Sequence, residues 1–235
     1  MINNEWQQFW ENYRKSDVVN ESDLYYQVGK TVNGNAISEP MLNCMVEDIK
    51  VKLGLETNDI LLEMCCGNGL LSKPLSNFVD ELYAFDFTSR LIEAANKYMF
   101  SENVTYKVGD AKENLSELFV YKKSPNKFLM NDSLGYFTTQ DLFKILQQIY
   151  KSPFRFYITG IPCDSLKWNF YNTESRKKRY FELLNSGNEH FDGIGKWWDS
   201  GDLIGLASEF NLGISIERQP IAMSNFRINV LYYSI

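Results

Sequence analysis

ILLEMCCGNG, running from Ile60 to Gly69, opens as an apolar run and closes on two glycines. Ile60–Met64 has the length and the mostly apolar character of a strand. Gly67 and Gly69 then turn the chain into a helix predicted over Leu70–Phe78. Open α/β sheets bind ligands at such carboxyl ends of strands. The glycines remove side chains so that backbone can approach a ligand. The helix start behind them offers unpaired N–H groups to an anionic group.

Outward from this stretch the texture repeats. Strands are predicted at Glu81–Phe85, Val104–Val108, Lys127–Met130 and Phe154–Ile161, with helices at Ser89–Phe100 and Thr139–Tyr150 between them. In Ser89–Phe100 the apolar residues Leu91, Ile92, Ala95 and Met99 fall on one helical face. Strands alternating with helices predict a doubly wound, mostly parallel sheet of the α/β class. From Pro162 to Phe210 the alternation stops and Trp, Tyr and Phe become dense. Two strand-like runs follow, Ile214–Ile221 and Phe226–Ile235, joined by a turn and expected to form an antiparallel hairpin. Residues 1–48 read as helical, broken at Val28-Gly29-Lys30 and Val32-Asn33-Gly34-Asn35. The 235 residues are expected to make a single domain, with residues 1–58 as a helical lid and 162–210 as an aromatic-rich insert.

The formal net charge of −6 narrows the partners. Binding to duplex nucleic acid needs clustered Lys and Arg. The single dense basic run here, Arg176-Lys177-Lys178-Arg179, lies in a predicted helix and reads as a solvated face, or as a local contact for a phosphorylated small molecule. Nucleic acid is not expected as a partner. Nor is a membrane, since no apolar run has the length of a bilayer span. Cys44, Cys65, Cys66 and Cys163 show no zinc spacing, and no metal site is expected. A polar start, NNEWQQFWENYRKS, lacks the apolar core of a signal peptide, so a reduced, cytoplasmic protein is expected.

Glycine spacing alone leaves two cofactors open. Gly67-x-Gly69-x-x-Ser72 is one substitution from a dinucleotide fingerprint, and Asp86 follows at a distance suited to a ribose hydroxyl. Glu63 tilts the choice. A carboxylate is unfavourable beside a diphosphate and favourable beside a ligand carrying an ammonium and a sulfonium. Asp86, followed by Phe87, ends the second strand and can accept both ribose hydroxyls. Asp110, followed by Ala111, comes after the third strand and can accept an adenine amino group.

With acids at three consecutive strand ends, residues 59–130 resemble the class I S-adenosylmethionine-dependent methyltransferases. Glu63 to Gly69 is similar to their first motif, Asp86 to their ribose-binding acid, and Gly109-Asp110-Ala111 to their adenine-side motif. The resemblance implies S-adenosylmethionine as cofactor and a Rossmann-like, seven-stranded sheet with its last strand inserted antiparallel. One departure stands out: Cys65 occupies a position where the motif usually has glycine. Gln27–Gly34, Cys65–Gly69, Gly160-Ile161-Pro162 and Gly193–Trp198 further resemble segments of bacterial small-molecule methyltransferases associated with cell-surface sugars or secondary metabolites.

Methyl transfer from a sulfonium is an in-line displacement, so the protein must position an acceptor and, for a hydroxyl, remove its proton. The expected acceptor is a small metabolite, such as a sugar or surface-glycan precursor, methylated on O rather than N. Asn131-Asp132-Ser133-Leu134 at the fourth strand end lacks the Asn/Asp-Pro-Pro-Tyr sequence of nucleobase amino-methylating enzymes. Asn131 is expected near the methyl group. Asp132 is a candidate base, with capping of the next helix as its alternative. His190, the sole histidine, is a second candidate, with Asp192 near enough to orient it. Asp164 is a third, beside Lys167 and Trp168. The competing functions are an NAD(P)-dependent oxidoreductase and a non-catalytic S-adenosylmethionine-binding protein. The acceptor's identity and the oligomeric state are open at this level.

Overall fold

A computed structural model describes residues 2–13, 21–32, 34–121, 123–150, 153–187, 193–220 and 223–235. Seven strands form one sheet: β3 (Ile60–Met64), β4 (Glu81–Asp86), β5 (Val104–Val108), β6 (Lys127–Asn131), β7 (Arg155–Pro162), β8 (Leu212–Arg218) and β9 (Arg227–Ser234). Their order is β5-β4-β3-β6-β7-β9-β8. β9 runs antiparallel to both β7 and β8. The sheet is therefore doubly wound and mostly parallel, with the last strand inserted, as expected. By its internal contacts the chain divides into two compact units, Met1–Leu129 and Met130–Ile235.

In the first unit, β3 pairs in parallel with β4 and β4 with β5, in a register that sets Glu63 beside Ala84 and Asp86 beside Val108. All five residues of β3 are buried, which is why it reads as an apolar run broken only by Glu63. Helix α5 (Ser89–Tyr98) buries Leu91, Ile92, Ala94 and Ala95. The expected helix over Leu70–Phe78 is shorter: α4 (Ser72–Leu75) gives way to a 3-10 turn at Ser76–Phe78. There Ser76 Oγ and Asn77 Nδ2 donate to the carbonyls of Lys73 and Pro74, three residues back, and compete with the α-helical ladder.

Ahead of this core lie α1 (Ile2–Asn12), α2 (Glu21–Gln27) and α3 (Glu39–Leu53). The predicted break between α2 and α3 holds a small antiparallel pair, β1 (Thr31–Val32) and β2 (Asn35–Ala36). Ser38 caps α3 by accepting from Met41 N, and left-handed Gly54 ends it.

The second unit builds on β7, β9 and β8. Helix α7 (Thr139–Ile149) starts in a capping box made by Thr138 and Asp141. The region expected as an aromatic insert carries α8 (Lys167–Phe170), α9 (Glu174–Asn185) and α10 (Ser200–Glu209). The short helix α6 (Leu115–Leu118) belongs to the first unit. Among the described residues no helix is long and apolar enough to cross a membrane.

Candidate active site

Two carboxyl groups dominate the glycine loop. Glu63 is 2% exposed, and its Oε2 accepts from Ser72 Oγ at 2.5 Å. Burial pushes the Glu63 carboxyl up to about 7, against the opposing pull of the Ser72 hydrogen bond and of Lys30. Asp86 is also buried. Its Oδ2 accepts from Gly67 N at 3.0 Å and its Oδ1 from Thr88 N at 2.9 Å. Burial raises the Asp86 carboxyl too, and the backbone hydrogen bonds of Thr88 and Gly67 hold it down. Each oxygen keeps acceptor capacity beyond its one amide bond.

The loop itself is left-handed at several points. Gly67 has φ +57° and Gly69 φ +77°. Cys65, at φ +58°, adopts a conformation that usually falls to glycine. The room beside the glycines is taken by protein. A Cβ at Gly67 would lie 2.8 Å from Val28 Cγ1, and one at Gly69 2.6 Å from the Tyr106 hydroxyl. The small side chains thus let Val28 and Tyr106 close against the loop. The backbone-to-ligand approach expected from sequence is not the whole reason for them.

Asn68 between the two glycines is fully buried. Its Nδ2 donates to Leu24 O at 2.8 Å and to Gln27 Oε1 at 3.1 Å, fastening α2 to the loop. Further along, Ser89 N donates to Glu11 Oε1 at 3.0 Å, and Arg90 donates to the carbonyls of Trp10 and Tyr13. Residues 10–13 are therefore held against the start of α5, and residues 24–28 against the glycine loop. Asn68 Oδ1 is buried and without a partner.

Asp110 follows β5, and its Oδ1 accepts from Lys112 N at 2.9 Å. Gly109 N donates to Asp86 O at 3.0 Å, tying the loops after β4 and β5 together. Ala111 is buried and Phe87 half-buried. Cys66 is buried with its thiol pushed well up, first by burial, so it stays neutral. All four cysteines are free thiols. Among the described residues no cluster of His, Cys, Asp and Glu is arranged to hold a metal.

In the second unit, Asn131 donates to Thr159 Oγ1. Asp132 has φ +53° and pairs with Arg227 Nη1 at 2.8 Å. It caps no helix: Thr138 and Asp141 fill that role for α7, which removes the alternative considered for Asp132. Asp164 is half-exposed and pairs with Lys167 at 2.8 Å, one turn along its own segment. His190 and Asp192 lie outside the described residues. Trp198 is fully buried and donates from Nε1 to Leu134 O at 3.0 Å, so it is core.

Residues 61–152 match the family model described as "Methyltransferase domain". That match likens this part of the chain to methyltransferase domains.

Solved methyltransferase structures share the chain's fold. Magnesium protoporphyrin IX methyltransferase from Synechocystis PCC 6803, with bound SAH, is 14% identical at a TM-score of 0.63, covering 100% of each chain. Geranyl diphosphate C-methyltransferase from Streptomyces coelicolor A3(2), in complex with Mg2+, geranyl diphosphate and S-adenosyl-L-homocysteine, is 12% identical at a TM-score of 0.61, covering 98% of this chain and 96% of that one. Phosphoethanolamine N-methyltransferase 2 of Haemonchus contortus is 15% identical at a TM-score of 0.58, covering 81% of this chain and 52% of that one. Among curated protein sequences, none matches the chain.

Several residues around the glycine loop escape a sequence reading. Val28 and Tyr106 seat against Gly67 and Gly69, and Asn68 anchors α2, through contacts 37 or more residues apart. Arg227 meets Asp132 across 95 residues. No local pattern announces such pairs. The one available signal was Asn68 itself, a polar residue between two glycines in an otherwise apolar stretch.

Proposed function

We propose that the chain transfers a methyl group from S-adenosylmethionine to an oxygen of a small metabolite, with a sugar or surface-glycan precursor as the acceptor class and nitrogen as the less favoured target. The observation that carries the cofactor is the pair of buried carboxyl groups, Glu63 and Asp86, at one glycine loop. A diphosphate would add negative charge where two acids are already desolvated. A ligand with an ammonium and a sulfonium relieves that burden instead. When bound, this cofactor supplies an electrophilic methyl group.

The residues fit it by their chemistry. Glu63 would receive the ammonium side, and the free acceptor capacity of Asp86 would take the ribose hydroxyls. Asp110, Ala111 and Phe87 would face the adenine, and Cys65, Gly67 and Gly69 would present backbone to the methionine portion. Buried Asn68 Oδ1 adds an acceptor without a partner. Asn131, tied to Thr159, would hold the edge of the acceptor side.

A small-molecule acceptor agrees with the solved relatives, which are named for a porphyrin, geranyl diphosphate and phosphoethanolamine. Preference for oxygen draws support from Asn131-Asp132-Ser133-Leu134, which is unlike the amino-methylating motif. Among the candidate bases, the Asp132 carboxylate is engaged by Arg227 and Asp164 by Lys167. His190 is then the group assigned to take a hydroxyl proton. Residues 1–58 act as the lid, a reading supported by the bonds of Asn68 to α2 and of Arg90 to Trp10 and Tyr13.

Calorimetry with S-adenosylhomocysteine tests the cofactor: binding is expected, and its loss in Glu63→Gln combined with Asp86→Asn follows from the assignment. Absence of binding to the wild-type chain would overturn it. Incubation with methyl-13C cofactor and metabolite pools then separates O- from N-methyl products by carbon chemical shift.

A further inference from the structure

Helix α5 starts without a cap of its own. Thr88 stands at its N-cap but makes no side-chain cap hydrogen bond. The first amides are served by two carboxylates instead. Thr88 N donates to Asp86 Oδ1 at 2.9 Å, and Ser89 N donates to Glu11 Oε1 at 3.0 Å, across 78 residues. Carboxylates suit a helix start, where the unpaired N–H groups carry partial positive charge. Two acids are thus anchored on consecutive amides of one loop, Asp86 at the end of β4 and Glu11 on α1.

The other half of the contact has the opposite sign. Arg90 Nη2 donates to Trp10 O at 3.1 Å and to Tyr13 O at 3.0 Å, at the end of α1 where carbonyls lack helical partners. Trp6, one turn before Trp10, is buried and seats the helix. Each helix end therefore takes its partner from the other helix, and Glu11 is fixed beside the loop that follows β4.

The two acids differ in what they have left to offer. Asp86 gives each of its oxygens to a protein amide, Gly67 N and Thr88 N. Glu11 gives only Oε1, and among the described residues its Oε2 accepts no hydrogen bond. Access differs too. Asp86 is 6% exposed, whereas Glu11 and Phe87 are half-buried and Ser89 is exposed, so a ligand can reach the pair from the Glu11 side. Burial comes first in raising the Asp86 carboxyl, and the Glu11 charge adds to the rise. A phosphate would worsen that repulsion. A neutral group with two vicinal O–H donors relieves it, since each hydroxyl can donate to one carboxylate.

Resting on the methyltransferase reading, we infer that Glu11 is a further cofactor-binding residue, which shares the ribose diol of S-adenosylmethionine with Asp86. Helix α1 then belongs to the cofactor site itself, and the bound ribose ties it to the end of β4. Arg90 holds the end of α1 where Glu11 can reach.

Calorimetry of the full chain with S-adenosylhomocysteine, and with its 2′-deoxyribose and 3′-deoxyribose analogues, tests this. Glu11→Gln keeps an acceptor for Ser89 N and removes the charge that strengthens a bond from a hydroxyl. It is expected to weaken S-adenosylhomocysteine about fivefold or more. At least one deoxyribose analogue, lacking the hydroxyl that Glu11 accepts, is expected to lose less than about twofold in the same variant. Equal losses on all three ligands, the mark of a merely loosened α1, would overturn the inference, as would no loss on any. Either of those results leaves S-adenosylhomocysteine bound by the wild type and the methyltransferase reading intact. A wild-type chain that binds none of the three sinks that reading and the inference with it.

Discussion

Glu63 is a carboxyl group placed where its charge is costly until a cation arrives. In the fold it titrates at about 7, against an ordinary value of 4.5. Because the folded state holds this proton more tightly than the unfolded chain, the stabilisation is full below about pH 4.5. It drains away as pH rises to about 7 and is flat beyond. The swing is on the order of 3 kcal/mol at 1.36 kcal/mol per pH unit. Urea unfolding at pH 5 and pH 8 measures it, and Glu63→Gln is expected to flatten that difference. A cationic cofactor reverses the preference, so its affinity is expected to rise through about pH 7 with release of a proton. Cys65 shows a different tension. Left-handed backbone costs an L-residue about 1–2 kcal/mol, and glycine's extra unfolded-state freedom returns about 0.5–1. Cys65→Gly is therefore expected to stabilise the protein by about 0.5–1 kcal/mol, a rise of roughly 1–4 °C in Tm by calorimetry.

At the scale of elements, α2 depends on a loop far from it in sequence. Asn68 Nδ2 serves Leu24 O and Gln27 Oε1 in a buried setting. Asn68→Ala removes both bonds and strands two acceptors. We expect a loss of about 1–3 kcal/mol and faster amide exchange across residues 24–30, with β3 and β4 still protected by their own ladder. This region also marks how far the sequence could be read. β3 and β4 were legible because buried strands appear as mostly apolar runs followed by turns, and the more exposed β5 was legible from its place in the strand–helix alternation. The acids themselves, Glu63 and Asp86, were legible for the same reason. The helix after the loop was overextended, because Ser76 and Asn77 tighten the backbone through side-chain bonds that apolar periodicity does not register. Val28, Tyr106 and Arg227 were silent, since their roles arise only where distant segments meet.

For the whole molecule the test is which ligand it prefers over unfolding. A ligand at about 100 times its Kd adds about 2.7 kcal/mol, which for a chain of this size is roughly 5–10 °C in Tm. S-adenosylhomocysteine is expected to give such a shift, and NAD none, in a thermal denaturation scan. The strand order carries a separate consequence for synthesis. β9 lies between β7 and β8 yet follows both in the chain. As the polypeptide leaves the ribosome, β7 and β8 are released before the strand that each must pair with. For that interval both present open rows of N–H and C=O groups, the kind of edge that recruits stray strands. Residues 227–234 act as the closing wedge, so this half of the sheet becomes safe from aggregation only when its last strand emerges.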